Sequence, residues 1–214
     1  MKITIFSFGG VLGQAVANIA LANGDQVTLY LPDAGAVWPR KNLTVVEGSM
    51  TDRDRILEAL LEADTVISVL IPTYWGHRMD GKTPTADGNA MIISAMEQLG
   101  KTRFVTLGHL CIHAFGDSST SYLRFTGRIM QLVWPGIYYD MQKMGQVLTH
   151  SHLNWTLVRI LPQRQKGKGG NLEISLDGSD CRGGISEEQL AGFLYEAAAD
   201  QGKYCRKMPM VYNR

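Results

Sequence analysis

Residues 1–13 read MKITIFSFGGVLG, and this stretch decides the fold prediction. The β-branched and aromatic residues of Ile3–Phe6 predict a strand, and Gln14–Ala22 predicts a helix that ends at Asn23-Gly24. Ser7–Gly13 between them predicts a glycine-rich turn. Glycines at such a turn allow a tight bend, close approach of the backbone to a pyrophosphate and close helix–strand packing. The stretch therefore predicts a dinucleotide-binding loop, and a plain tight turn is the alternative.

The rest of the chain alternates between short apolar runs and helix-like segments. The further predicted strands are Gln26–Leu31, Leu43–Glu47, Thr65–Leu70, Arg103–Leu107 and Trp155–Ile160. Thr51 or Asp52 is predicted to cap the next helix, and the further predicted helices are Ala86–Leu99, Ser121–Val133, Met141–His150 and Glu187–Ala199. Pro135-Gly136 is expected to end the helix before it, and the chain before Ser186 is expected to be irregular. This repetition predicts a parallel sheet with helices on both faces. We therefore expect one α/β domain over residues 1–214, a doubly wound sheet with a small substrate-side lobe from the C-terminal part.

The composition is that of an ordinary folded protein. Its 214 residues are 45% hydrophobic and 19% charged, and 21 Lys and Arg residues against 20 Asp and Glu residues give a net charge of +1. This balance predicts no nucleic-acid partner, since such a partner needs a basic face. No run reaches about eighteen apolar residues, so no membrane partner is expected. Met1–Phe6 does not resemble a signal peptide, and Cys111, Cys181 and Cys205 form no CxxC pair, which together predict a cytoplasmic location.

Six stretches spread along the chain carry a family resemblance. They are SFGGVLG at 7–13, LTVVEG at 43–48, ADTVIS at 63–68, DGNA at 87–90, NWTLVR at 154–159 and GIS at 184–186. With these stretches the chain resembles the atypical short-chain dehydrogenases/reductases, in the branch with NmrA-like proteins and biliverdin-IXβ (flavin) reductase. The resemblance implies a Rossmann-like fold and an NAD(P) cofactor. This family usually opens with GATGxxG, whereas here Ser7 replaces the first glycine and Phe8 the alanine.

Ligands of doubly wound sheets bind at the carboxyl ends of the strands, so the loops that follow the strands are expected to form one site. The resemblance implies NADP there, with NAD as the alternative. The predicted cofactor-binding residues are Ser7, Phe8, Gly9, Gly10, Val11, Leu12, Gly13, Pro32, Arg40, Ser49, Met50, Leu70, Ile71, Pro72, Leu107, Gly108, Lys143 and Leu161. Pro32 stands where relatives have a phosphate-binding arginine, so Arg40 or Lys41 is expected to supply that contact. Ser49 replaces an acidic residue of the relatives, and a pocket that has lost its cofactor is the alternative.

Tyr139 and Lys143 have the Tyr-x-x-x-Lys spacing of short-chain dehydrogenases, which places both side chains on one helix face. A lysine ammonium beside a phenol lowers the pKa of the phenol, so Tyr139 is predicted as the proton donor. The resemblance implies that Lys143 also holds the nicotinamide ribose. His109 stands near the position of the family's serine and is predicted to donate a hydrogen bond or a proton. The alternative is a tyrosine beside a solvated lysine, without a catalytic role.

Two further groups of residues have competing interpretations. His109, Cys111 and His113 alternate, which is compatible with a metal site completed by His150 or His152, but a buried cysteine among loop histidines is favoured and no metal is predicted. The ring side chains predicted on the substrate side are Tyr74, Trp75, His77, Phe115, Trp134 and Tyr138, with core packing or a dimer interface as the alternative. The basic stretch Gln163–Gly170 either covers anionic ligand groups or is solvated.

Together these features predict an oxidoreductase that transfers hydride between NAD(P) and a small organic substrate, an aromatic or conjugated carbonyl, an alcohol or a flavin-like compound. The alternative is a non-catalytic NmrA-like nucleotide sensor that acts through a protein partner. A third class is an interaction subunit without nucleotide affinity. The expected partner is a small molecule, and the expected oligomeric state is a monomer or a homodimer.

Overall fold

The computed structural model describes residues 1–35, 37, 39–71, 81–118, 121–161, 170–179, 183–200 and 202–214. Its elements are β1 (Lys2–Ser7), α1 (Val11–Ala22), β2 (Gln26–Leu31), β3 (Leu43–Glu47), α2 (Arg53–Leu60), β4 (Thr65–Val69), α3 (Pro84–Gln98), β5 (Arg103–His109), α4 (Ser121–Val133), α5 (Pro135–His150), β6 (Asn154–Ile160), β7 (Leu172–Ser175), α6 (Glu187–Ala199) and β8 (Met210–Asn213). Strands and helices alternate along the chain as predicted.

The strands form a single eight-stranded sheet in the order β3-β2-β1-β4-β5-β6-β8-β7. Neighbouring strands are parallel, except that β7 is antiparallel to β8. β4 and β5 are buried along their whole lengths, as the nearly all-apolar run Thr65–Leu70 predicts for β4. The chain order reverses between β1 and β4, and a doubly wound sheet binds its ligand there, outside the carboxyl ends of the strands. The predicted Rossmann-like, doubly wound fold is confirmed.

Two apolar layers form the core, one on each face of the sheet. Buried side chains of α2, α3 and α5, such as Ile56, Ile92 and Met144, cover one face. The other face is covered by α1 and α6, with Val16 and Leu194 among the buried residues. No helix within the described ranges is long and apolar enough to cross a membrane.

Helix boundaries differ from the prediction at two places. α1 begins at Val11 rather than Gln14 because the turn before it is short. α4 does end before Pro135-Gly136, as predicted, but α5 begins at Pro135 and not at Met141. Proline fits the first helical position, where its missing N–H is not needed, so one proline both ends one helix and begins the next.

The chain before Ser186 is not wholly irregular, and that prediction is wrong. β7 lies there, and β8 follows α6, so the C-terminal part supplies the last two strands at one edge of the sheet. Both strands have only four residues, and β7 has no fully buried position. A strand this short at an edge carries too little periodicity to be predicted from the sequence.

Candidate cofactor site

The glycine-rich turn joins the end of β1 to the start of α1. Gly9 has a φ of 98°, a left-handed conformation that favours glycine, and the N–H of Gly9 donates to Ser7 Oγ at 3.1 Å. A Cβ atom at Gly13 would lie 2.8 Å from both Cβ and Oγ of Ser7. Gly13 therefore allows α1 to pack closely on β1, which is the role predicted for the last glycine of the motif.

The N-terminus of α1 is open for an anion. Its N-cap residue, Gly10, makes no side-chain capping bond, and the first turn of the helix contains no acidic residue. A Cβ atom at Gly10 would meet no atom within 4 Å among the described residues, and the Val11 side chain is 69% exposed. The first N–H groups of a helix lack intrahelical partners and favour negative charge. The turn thus has the geometry of a phosphate-binding helix start.

A second part of the crevice lies over the carboxyl ends of β4, β5 and β6. It is a shallow, mostly apolar pocket lined by Leu70, Ile71, Leu107, Gly108, His109, Met141 and Ile160. Five of the residues predicted for the cofactor site or for catalysis are thereby brought together. A Cβ atom at Gly108 would lie 2.7 Å from Cδ1 of Ile112, so glycine is needed there for packing beneath the pocket.

The ring of His109 is the polar side chain of this pocket. It is only 5% exposed, and burial lowers its pKa to about 4, opposed by a hydrogen bond to the Ile160 carbonyl oxygen. The ring atom Nδ1 has no hydrogen-bond partner among the described residues. Burial therefore keeps the ring neutral near pH 7 within an otherwise apolar lining.

The loop after β3 lies on the other side of the crevice, next to β2. The Tyr30 hydroxyl donates to the Ser49 carbonyl oxygen at 2.7 Å, and a Cβ atom at Gly48 would lie 2.2 Å from that hydroxyl oxygen. Burial raises the pKa of Tyr30 to about 12, so this hydroxyl stays protonated. Met50 is buried beside Gly88 of α3. These contacts fix the backbone at Ser49 and Met50, two of the residues predicted for the cofactor site.

The residues predicted to take a 2′-phosphate follow β2. Pro32 is exposed at the end of that strand. Arg40 is also exposed, and its Nη1 donates to Asn18 Oδ1 of α1 at 2.5 Å. Asn18 lies about two turns beyond the start of α1, so this guanidinium is directed along the helix rather than towards the glycine-rich turn.

Lys143 of α5 reaches the start of α3. Its Nζ donates to Thr83 Oγ1 and to Asp87 Oδ1, each at 2.8 Å, and the hydrogen bond from Lys143 is the main reason that the pKa of Asp87 is lowered. Tyr139 is 47% exposed and contacts the ring of Tyr138 edge to face. No hydrogen bond between Tyr139 and Lys143 is present within the described ranges, so the structure does not join the predicted pair.

Asp140, inside the same motif, has a structural role that was not predicted from the sequence. It is fully buried and accepts hydrogen bonds from the N–H groups of Thr85 and Ala86 at 3.1 and 2.8 Å. These are first-turn donors of α3, whose own N-cap residue, Thr83, supplies no side-chain cap. A buried carboxylate from α5 therefore caps α3. The only signal of this role in the sequence is an acidic residue on an otherwise apolar helix face.

Several residues predicted for the cofactor or substrate side lie in the core or on the surface, and others lie outside the described ranges. Leu161 packs with the small apolar cluster around Leu110 and Met210, Phe115 is fully exposed, and Trp134 and Tyr138 pack against the α2, α3 and α5 layer. The predicted residues outside the described ranges are Pro72, Tyr74, Trp75, His77, Cys181 and residues 163–169 of the basic stretch.

His109, Cys111 and His113, which alternate at the end of β5 and just beyond it, lie in different environments. Burial raises the pKa of the Cys111 thiol to about 12, and His113 lies 3.8 Å from Asp117. Among the residues that the structure describes, no group of three or more His, Cys, Asp or Glu side chains has a metal-binding arrangement.

A family model described as NAD(P)H-binding matches residues 9–201. The chain belongs to the NAD(P)H-binding family. The predicted family relationship is thereby confirmed at this level, and the matched range includes Gly9–Gly13 of the glycine-rich turn and α6. The residues present fit such a cofactor, because the open start of α1 offers N–H donors for phosphate and the apolar pocket over β4, β5 and β6 lies further along the same edge of the sheet.

Solved structures with the same fold cover nearly the whole chain. A short-chain dehydrogenase/reductase from Veillonella parvula in complex with NADP has a TM-score of 0.77 at 18% identity, covering 99% of this chain and 94% of that one. A putative epimerase from Bacteroides thetaiotaomicron has a TM-score of 0.78 at 20% identity, with 100% and 97% covered. An anaerobillin reductase from Escherichia coli O157:H7 has a TM-score of 0.69 at 17% identity, with the same coverage. The sequence matches no curated protein.

Proposed function

We propose that this member of the NAD(P)H-binding family is an oxidoreductase that uses NADP, with NAD as the second candidate, on a small aromatic or conjugated carbonyl, alcohol or flavin-like substrate. The observation that carries the proposal is the uncapped start of α1 at Gly10, in the same crevice as the apolar pocket over β4, β5 and β6. Two of the solved structures with this fold are named as reductases, and one of these holds NADP.

Each part of the crevice has a role in this proposal. The first-turn N–H groups of α1 bind the pyrophosphate, and Leu70, Leu107 and Ile160 exclude water from the floor of the crevice. A bound nicotinamide cofactor supplies or accepts the hydride. Tyr139 gives a proton to the substrate oxygen as the new C–H bond forms, so that a carbonyl becomes an alcohol, and it takes the proton back in the reverse direction.

A nucleotide sensor without catalysis is the second candidate. It is favoured by Lys143, whose ammonium is engaged by Thr83 and Asp87 rather than placed beside the Tyr139 hydroxyl. The two candidates share the cofactor site and differ in turnover. Tyr139→Phe separates them, because unchanged turnover would exclude the proton-donor role while cofactor binding is expected to stay the same in both cases. The partner is a small molecule in the first case and also a protein in the second, and a monomer or homodimer fits either.

The test of the proposed cofactor site is a calorimetric titration of the purified protein with NADPH and then with NADH. We expect a dissociation constant near the micromolar range for one of them, which corresponds to about −8 kcal/mol. Gly10→Ala should weaken this binding by about tenfold or more, because the added Cβ would occupy the open space through which a pyrophosphate approaches the backbone.

Gly192→Ala is the matched control. A Cβ atom at Gly192 of α6 also meets no atom within 4 Å, but it lies outside the crevice, so binding should stay unchanged. Gly10→Ala should alter the free energy of unfolding by less than about 1 kcal/mol, because its φ of −84° suits alanine and only an N-cap preference is lost. Absence of binding to either nucleotide in a folded sample would exclude the proposed function. Equal binding by Gly10→Ala and the control would exclude this turn as the phosphate site.

A further inference from the structure

A cavity of about 510 Å³ lies towards the opposite end of the sheet from the cofactor crevice. It is lined by Trp155, the second residue of β6, and by Thr149 near the C-terminus of α5, whereas Ile160 at the end of β6 lines the crevice. None of the described residues that line it belongs to the glycine-rich turn or to the pocket over β4, β5 and β6. Small-molecule sites typically have volumes of about 300–1,000 Å³, so this cavity has room for a ligand of its own.

One wall of the cavity presents apolar side chains to water. Phe115 is fully exposed and Leu176 is 52% exposed. Phe115 lies in a tight turn in which the Ala114 N–H donates to Asp117 Oδ2 at 2.8 Å and the Asp117 N–H donates to the Ala114 carbonyl oxygen at 3.2 Å. Asp117 is paired in turn with the buried guanidinium of Arg159. The turn is therefore fixed, and a large apolar ring held in water on a fixed backbone is typical of a binding surface.

The base of the cavity continues this apolar surface. Trp155 and Met208 line it and are 5% and 8% exposed, so both belong to the core and present only a small part of their surface to the cavity. Aromatic rings from the wall and from the base thus border one space. A flat aromatic body is the ligand shape that stacks on such rings and buries the most apolar area.

Two adjacent cations, Arg206 and Lys207, line the same cavity. Both are exposed, and neither forms an ion pair with an acidic side chain in the part of the chain that the structure describes. Arg206 Nη2 donates to the Ser151 carbonyl oxygen at 3.0 Å, which leaves other N–H groups of the guanidinium for a ligand. The Arg206 backbone has a φ of 51° and its N–H donates to the Trp155 carbonyl oxygen at 2.7 Å. A side-chain-bearing residue held in this uncommon conformation is often found at a ligand site.

Asp177 is the one acidic residue among the described residues that line the cavity, and its carboxylate is engaged in its own turn. Its Oδ1 accepts hydrogen bonds from the Oγ atoms of Ser175 and Ser179 at 3.0 Å and from the Ser179 N–H at 3.2 Å. The two cations therefore outnumber the acidic group and have donors to spare. Such a lining favours an anionic ligand group, and a planar carboxylate matches the arrangement of donors on a guanidinium.

We propose that this cavity is a second ligand site and that it binds a planar aromatic carboxylate. The aromatic body packs against Phe115 and Trp155, and the carboxylate accepts hydrogen bonds from Arg206 and Lys207. The site is separate from the proposed cofactor crevice, so its ligand binds whether or not a nucleotide is present.

The test is a titration followed by ¹H–¹⁵N NMR, with 2-naphthoate as the probe and the neutral 2-naphthalenemethanol as its matched partner. The indole N–H of Trp155 and the backbone N–H groups of Phe115 and Gly116 should shift with 2-naphthoate, with a dissociation constant of about 1 mM or lower. The alcohol should shift the same signals with an affinity weaker by about threefold to tenfold, because it cannot pair with the two cations.

Two variants separate the apolar contact from the charge. Phe115→Ala should weaken the binding of both probes by about fivefold or more, because each loses the same ring contact. Lys207→Gln should weaken the binding of 2-naphthoate by about threefold and leave that of the alcohol unchanged. Both side chains are exposed, so we expect both variants to fold.

Phe125→Ala and Lys203→Gln are the matched controls, because both side chains are exposed and neither lines the cavity. Each should bind 2-naphthoate as the wild type does. Absence of shifts at the three signals with about 10 mM 2-naphthoate would overturn the proposal, and so would equal affinity for the two probes. Displacement of 2-naphthoate by NADPH would also overturn it, since the probe would then lie in the cofactor crevice. The titration itself needs no nucleotide, so its failure and the failure of the proposed function are distinguishable.

Discussion

At the scale of the single residue, the burial of His109 makes stability depend on pH. The pKa of the ring is about 4 in the folded protein, whereas a histidine in an unfolded chain titrates near 6.5. Between these values the unfolded chain binds more protons than the folded one, so the free energy of unfolding must fall as the pH decreases. The contribution of His109 is complete above about pH 6.5 and is lost progressively towards pH 4.

We expect the wild-type protein to lose about 2–3 kcal/mol of stability relative to His109→Gln between pH 7.5 and pH 4.5, because glutamine does not titrate. Urea unfolding at each pH measures the difference, and carboxylates that titrate in the same window cancel between the two proteins. His152→Gln, at an exposed histidine, is the control and should follow the wild-type curve. If the free energies of unfolding of the wild type and His109→Gln change in parallel with pH, folding does not lower the pKa of the His109 ring.

The glycine-rich turn was predictable at the residue scale because its geometry is local. Gly9 and Gly13 lie within six residues of Ser7, and both the left-handed φ and the close approach follow from their spacing. The pairing of Lys143 with Asp87 joins residues 56 positions apart. The Tyr-x-x-x-Lys pattern contains no information about a carboxylate on another helix, so the sequence could not predict where the ammonium of Lys143 is held.

At the scale of the element, α5 stabilises the start of α3 through two different contacts. The Asp140 carboxylate is buried and accepts two backbone N–H bonds. Burial raises the pKa of this carboxyl group, and the two backbone hydrogen bonds oppose the increase. Lys143 and Asp87 form an ion pair whose side chains are 50% and 60% exposed. Because the Asp140 cap is buried and the ion pair is exposed, we expect the cap to contribute more to the free energy of unfolding than the ion pair does.

Asp140→Ala should lower the free energy of unfolding by about 1–3 kcal/mol, because it leaves two buried N–H groups without an acceptor. Lys143→Met should change it by less than about 1 kcal/mol, since water solvates both partners of an exposed pair. Urea unfolding at pH 7 tests the order of the two effects. A larger loss in Lys143→Met would refute this assignment. If Lys143 acts in catalysis, Lys143→Met also reduces turnover while the protein stays folded.

Elements with a strong repeating pattern were predicted well, and those without one were not. The spacing of Ile56, Leu57, Leu60 and Leu61 predicts one buried face of α2, and Ile56 and Leu60 are buried there, whereas Leu61 follows the helix and is 58% exposed. Asp52 caps this helix through the Arg55 N–H at 3.1 Å, as predicted. β8 follows α6 in the chain and lies beside β6, with which it pairs at Arg159 and Met210. Its position depends on the tertiary fold, which four residues cannot specify.

Across the whole molecule, Arg159 of β6 connects the sheet to two loop segments, one after β5 and one before β8. The guanidinium on β6 is fully buried, and it donates to the carbonyl oxygens of Met208 and Ile112 at 2.8 and 2.9 Å. Two further bonds of 2.7 Å reach the carboxylate of Asp117, which also accepts from the Ala114 N–H. A single side chain therefore links β6, the chain after β5 and the chain before β8.

Removing only the Asp117 charge should be more harmful than removing both partners of this pair. Asp117→Asn leaves the buried guanidinium uncompensated, so we expect a loss of about 3–5 kcal/mol in the free energy of unfolding. Arg159→Met alone removes four hydrogen bonds. The double variant should lose less than the sum of the two single losses, because no buried charge remains. Urea unfolding of the four proteins gives the coupling energy.

Arg55→Met is the comparison for this cycle, because Arg55 pairs with Glu58 on the exposed face of α2, with each side chain 54% exposed. It should leave the free energy of unfolding nearly unchanged, because water solvates both partners of this exposed pair. Strict additivity of the Asp117 and Arg159 effects would mean that the two side chains do not act as a pair. The pocket that contains His109 is not lined by Asp117 or Arg159. The affinity for the nicotinamide cofactor proposed above should therefore be retained in Asp117→Asn wherever the protein is still folded, which separates the stability around Arg159 from the chemistry of the crevice.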